Sequence, residues 1–93
     1  TALFFKEQLN DLKANFPFIR DMRGKGLLLG LEIDPAISGK EIVLIMLRKG
    51  FIINCTGNNT LRFAPPLIIQ KEEIQRLIDA LNNVFHTINS PNS

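Results

Sequence analysis

Apolar residues recur along this chain with two different periods, and the changes between them mark its elements. Phe5, Leu9, Leu12 and Phe16 fall on one face of a helix over residues 2–15, with Lys6, Glu7, Asn10, Asp11 and Lys13 on the other. Pro17 closes that helix. Phe18 to Arg23 reads as a strand, and Gly24-Lys25-Gly26 as a tight or bulged link into the next one. From Leu27 to Ile33 the period drops to two. Leu27, Leu29, Leu31 and Ile33 take one face, and Leu28, Gly30 and Glu32 take the other. Gly30 leaves room there for a neighbouring group. Glu32 fits either a solvated strand end or a structural ion pair with a base such as Arg23, and the pairing is favoured.

Asp34-Pro35 breaks the strand, and Ser38-Gly39-Lys40-Glu41 has the spacing of a capping box that opens a helix running to Lys49. Ile42, Ile45 and Met46 share its inner face. Val43, Leu44 and Leu47 make it apolar nearly all round, so burial on more than one side is expected. Gly50 stops it, with Arg48 and Lys49 complementing the helix dipole. Phe51 to Asn54 reads as a buried strand, which a turn-rich segment joins in hairpin fashion to a second strand, Thr60-Leu61-Arg62-Phe63. Pro65 and Pro66 end that strand in a stiff elbow. A final helix from near Lys71, with Gln70 at the cap and Glu72 and Glu73 in its first turn, carries Ile74, Leu77, Ile78, Leu81, Val84, Phe85 and Ile88 on one face. Residues 89–93 read as a flexible polar tail.

This order of elements predicts an α+β fold: a three- to four-stranded, mostly antiparallel sheet with helices on one face. The 93 residues suffice for a single domain with one core, and 45% hydrophobic residues without tryptophan or tyrosine make it core-rich. Part of that apolar surplus is expected to be surface that a further domain covers. The net charge is only +2 and its bases are scattered, so no nucleic acid partner is expected. No apolar run approaches the roughly 20 residues of a membrane span. A single cysteine excludes an internal disulfide, no metal-ligand cluster is present, and a reducing, cytoplasmic setting fits best. The chain lacks an initiating methionine and begins within a helical pattern, so a piece of a longer protein is expected.

Several chemical signals fall away on inspection. Gly24-Lys25-Gly26 lacks the glycine spacing and following Ser/Thr of a phosphate loop. Cys55 has no histidine or cationic cluster beside it in sequence to activate it, and reads as a buried structural thiol. His86, the only histidine, stands near a helix end and is given no catalytic role. Arg62 survives. It places a permanent charge within an apolar strand, on the face opposite Leu61 and Phe63, and the residue pattern alone fits a solvated edge arginine or an ion-pair partner as well as a binding residue.

Ile53-Asn54-Cys55-Thr56 followed by Leu61-Arg62-Phe63-Ala64-Pro65-Pro66-Leu67 resembles the closing part of the class III, ornithine-type aminotransferases. The similarity extends to residues 22–32 and to Lys71-Glu72-Glu73-Ile74, and within the family the acetylornithine branch is the most similar. The resemblance implies the small C-terminal domain of a fold-type I, pyridoxal-phosphate-dependent enzyme. Arg62 matches the family's arginine that receives a substrate carboxylate. The resemblance further implies a homodimeric parent that moves an amino group between N-acetylornithine and 2-oxoglutarate in arginine biosynthesis. The Schiff-base lysine and most cofactor contacts belong to the family's large domain, so no catalytic or cofactor-binding residue is assigned here, and the chain alone is expected to be inactive and to bind pyridoxal phosphate poorly. Ornithine and succinylornithine enzymes share the arginine motif and remain alternatives, as does a self-standing ferredoxin-like ligand-sensing module.

Overall fold

The computed structural model describes residues 2–25, 28–63 and 70–89. Helix α1 (Ala2–Asn15) leads into strands β1 (Ile19–Lys25) and β2 (Leu28–Ile33), then helix α2 (Gly39–Arg48), strands β3 (Asn54–Cys55) and β4 (Thr60–Phe63), and helix α3 (Lys71–Asn89). The four strands form one sheet in the order β1-β2-β4-β3, and every neighbouring pair is antiparallel. The expected α+β class is therefore the observed one, at the upper strand count. The crossover through α2 and β3 makes β4 an interior strand, with β2 on one side and β3 on the other.

The period-two pattern decides which face is buried. Leu29, Leu31, Ile33, Leu61 and Phe63 join the core with Phe5, Leu9, Leu12 and Phe16 of the α1 region, Ile42 and Met46 of α2, and the apolar stripe of α3. Rings tie these layers together: Phe5 meets Phe63 edge-on at 5.9 Å, and Phe16 meets Phe85 at 5.5 Å. Such pairs add roughly 0.5–1.5 kcal/mol each to the burial of their area. The opposite face of the sheet is largely polar, with Leu28 exposed on it. Arg23 and Arg62 are exposed on it, while Gly30 between them is buried.

Local chemistry explains the helix ends. The Ser38 hydroxyl accepts from the Glu41 N–H at 3.2 Å, which caps α2 as its sequence predicts. The reciprocal bond from Glu41 to the Ser38 N–H is absent among the described residues, and the next N–H, that of Gly39, donates to Asn59 Oδ1. At α3 the glutamate does reach back: the Gln70 N–H donates to Glu73 Oε1 at 3.4 Å, so Gln70 caps through its backbone.

Three expectations need correction. Phe51 to Asn54 is not a buried strand, because β3 comprises only Asn54 and Cys55 and Ile52 is 86% exposed. The Phe51 N–H instead bonds back to the Met46 carbonyl, which keeps this segment wrapped against the end of α2. Nor is α2 buried on several sides: Leu44 and Leu47 are exposed, and Ile45 is only partly covered. Finally, Gly24 and Lys25 extend β1 rather than forming a link. Gly24 has φ +122°, and a Cβ there would lie 2.0 Å from the Leu28 carbonyl oxygen, so glycine is required. Gly26, Leu27, the Pro65-Pro66 elbow and the tail beyond Asn89 lie outside the described residues.

Candidate functional site

Strand register builds the polar face row by row. Arg23 lies opposite Gly30, Gly30 opposite Arg62, and Arg62 opposite Asn54, so one line of residues crosses all four strands. Two inter-strand steps of about 4.8 Å set the two arginine backbones roughly 10 Å apart. Glycine between them keeps the floor low: a Cβ on Gly30 would approach Thr60 Cγ2 to 3.1 Å. The result is a shallow hollow of about 570 Å³ whose lining includes Arg23, Gly30, Asn54, Thr60, Arg62 and Phe63.

The two arginines differ in what they hold. Arg23 Nε lies 3.0 Å from Asp21 Oδ2, and its Nη2 lies 2.5 Å from Glu32 Oε1, which fulfils the pairing predicted for Glu32. Its charge is spoken for by two carboxylates. The Arg62 side chain makes no ion pair or hydrogen bond with any described residue. It is thus an exposed guanidinium on an interior strand, available to an incoming anion. Thr60, two residues earlier on the same face, is buried, and its hydroxyl oxygen has no partner among the described residues.

Two surface carboxylates are tuned by their partners. The hydrogen bond from Arg23, then that from the Met22 N–H, holds Asp21 below the ordinary carboxylate range. Asp34 is lowered first by the Ala36 N–H and then by Arg20, whose Nη2 is 2.6 Å from Asp34 Oδ2.

Immediately before the strand that carries Arg62 stands Asn59, a residue that sequence reasoning read only as part of a turn. Asn59 adopts φ +61°, the left-handed region that asparagine tolerates better than most residues. Its N–H bonds the Thr56 carbonyl while the Thr56 N–H bonds the Thr60 carbonyl, the bonding of a three-residue hairpin loop that joins β3 to β4. The two N–H groups of its side-chain amide are shared among the carbonyls of Ile33, Asp34 and Ile37, at 3.2, 3.1 and 2.8 Å from Nδ2. Its oxygen accepts the Gly39 N–H at 2.9 Å. The signal available in sequence was an asparagine at the αL position of a short hairpin, but its distant partners were not legible there.

Cys55 is half-buried beside this clamp, with its thiol facing the Thr56 carbonyl at 3.5 Å. His86 packs its ring against Phe16 at 5.0 Å, a structural contact at the edge of the core. No group of residues suited to a metal ion occurs among the described residues, and no helix there is long and apolar enough to cross a membrane.

An antiparallel sheet lined with helices on one side, and carrying a motif arginine on the other, fits a domain of a fold-type I aminotransferase. The chain belongs to the aminotransferase class-III family, whose model matches residues 1–85, and the family is pyridoxal-phosphate-dependent in general. Among particular relatives, acetylornithine aminotransferase of Methanocaldococcus jannaschii is 47% identical over 91% of this chain and 21% of its own length. Ornithine aminotransferase 2 of Staphylococcus aureus is 35% identical over 88% of this chain and 20% of its own length. In structure, lysine aminotransferase from M. tuberculosis superposes with a TM-score of 0.87 at 26% identity, covering 95% of this chain and 20% of that one. Ornithine aminotransferase from Plasmodium yoelii gives 0.83 at 28% identity, over 91% and 23%. The chain spans about a fifth of the length of the curated relatives it matches.

Proposed function

We propose that this chain is the C-terminal, carboxylate-binding domain of an acetylornithine aminotransferase, a cytoplasmic homodimer of arginine biosynthesis that passes an amino group between N-acetylornithine and 2-oxoglutarate. The observation that carries the reading is the state of Arg62: exposed, unpaired among the described residues, and carried on an interior strand opposite Gly30. A guanidinium presents a planar fork, and a carboxylate of glutamate or 2-oxoglutarate matches it with two parallel hydrogen bonds. Acetylornithine is favoured as donor over ornithine by the higher identity to the acetylornithine enzyme.

Pyridoxal phosphate, when bound to the parent, supplies the electron sink for amino transfer. The hollow beside Arg62 offers guanidinium, amide and hydroxyl groups. That donor set suits a carboxylate, and in this reading the cofactor is held by the large domain of the parent chain. The chain by itself is then inactive.

The test is a pair of single-turnover half-reactions on the full-length enzyme, one with glutamate and one with acetylornithine, for wild type and Arg62→Ala. Losing a charged, hydrogen-bonded partner in a partly desolvated site costs roughly 2–5 kcal/mol, so the glutamate efficiency should fall by about 30-fold or more. Circular dichroism should be unchanged. Wild-type glutamate kinetics in the folded variant would return Arg62 to the role of a solvated strand arginine.

A further inference from the structure

We infer that Asn59 is a positioning residue for carboxylate recognition, setting the point at which β4 enters the sheet and hence where the Arg62 guanidinium stands in the hollow. This rests on the carboxylate role proposed for Arg62. The Arg62 side chain has no hydrogen-bonding partner among the described residues, so its placement is inherited from the backbone that carries it. That backbone is a strand of four residues, and Asn59 immediately precedes it.

Three elements converge on Asn59. The Nδ2 group gathers the carbonyls of Ile33, Asp34 and Ile37, at the end of β2 and in the segment before α2, where the Asp34 carbonyl also accepts the Ile37 N–H. The Ile33 N–H closes the circuit on the Asn59 carbonyl at 3.0 Å. The Oδ1 atom receives the Gly39 N–H at the first turn of α2. The junction is closely packed: a Cβ on Gly39 would lie 2.7 Å from Asn59 Oδ1 and 2.6 Å from the Cys55 sulfur. Loss of the clamp frees the end of the β3–β4 loop relative to β2, and β2 carries Gly30, the register partner of Arg62. A shift of about 1 Å between a binding group and its target is enough to cost on the order of a hundredfold when the geometry is that of reaction, and less when it is that of binding.

The full-length holoenzyme is assayed with Asn59→Gly, which accepts the positive φ and deletes only the side-chain bonds. Asn59→Asp keeps the φ tolerance and the acceptor for Gly39 while losing the three donations, and serves if the glycine variant does not accumulate. Both are expected to raise the KM for glutamate by about tenfold, with the acetylornithine half-reaction and kcat changed less than about twofold. Combined with Arg62→Ala, either variant should add no further loss, since it acts through the arginine. Equal losses in both half-reactions, or a double variant whose loss is the product of the single ones, would make Asn59 a stability residue and overturn the inference. If Arg62→Ala impairs glutamate turnover and the Asn59 variants do not, the inference alone fails. If Arg62→Ala itself has no effect, the carboxylate reading fails and takes this one with it.

Discussion

Arg62 shows how far a single side chain can be read from its neighbours in sequence. Alternation with Leu61 and Phe63 placed it on the polar face, and that is where it stands, exposed between Gly30 and Asn54 across the strands. Whether it was paired could not be read, because ion pairs depend on which strands adjoin. The strand order β1-β2-β4-β3 brings Glu32 to Arg23, which also holds Asp21 of its own strand, and leaves Arg62 without a carboxylate among the described residues. Asp21 and Asp34 give a residue-scale prediction. Each is held below the ordinary carboxylate range, so its folded form favours the ionised state. The stabilisation is therefore complete above the unfolded-chain value of about 3.9 and disappears as pH falls through the lowered native values. Asp21→Asn/Asp34→Asn should be less stable than wild type at pH 7, with the two urea midpoints converging towards pH 2. A gap that stays constant down to pH 2 would show that these carboxylates are tuned no differently in the folded and unfolded chain.

At the scale of elements, periodicity located all three helices and the β2 and β4 strands, since each buries one continuous face. It failed over residues 51–54, where four consecutive residues rich in Phe and Ile look like a buried strand. There the backbone is drawn to the end of α2 by the bond from Phe51 to Met46, and only Asn54 and Cys55 reach the ladder beside β4. Local composition carries no information about that competition. The capping of α2 was half legible: Ser38 caps as its spacing requires, but the Gly39 N–H goes to an asparagine twenty residues later. Gly39 itself is the more demanding position. Replacing it with alanine would drive a methyl group into the Cys55 sulfur and the Asn59 amide, and overpacking of this kind costs typically 1–3 kcal/mol. Gly39→Ala should lower the melting temperature by several degrees, whereas Gly57→Ala, which meets nothing within 4 Å, should leave it nearly unchanged. Equal melting temperatures for the two variants would remove the tight junction from this account.

For the molecule as a whole, the fold class was legible and the outward faces were not. The apolar surplus in the composition is visible in the structure as Leu3, Leu28, Leu44, Leu47 and Ile52, all more than half exposed. The curated relatives are about five times as long as this chain, and the hollow around Arg62 is open on the side away from the helices. A shallow, one-sided hollow gives a ligand few of the contacts that enclosure provides, so carboxylate binding at Arg62 is expected to need the rest of the enzyme. The most direct measurement is calorimetric titration of the full-length enzyme with glutarate, a dicarboxylate without an amino group to transfer, which isolates recognition from chemistry. Arg62→Ala should weaken glutarate binding by about 30-fold or more, in line with the loss of a charged bidentate pair, while acetylornithine turnover in its own half-reaction persists. Equal glutarate affinity in wild type and a folded Arg62→Ala enzyme would contradict the claim that this arginine receives the substrate carboxylate.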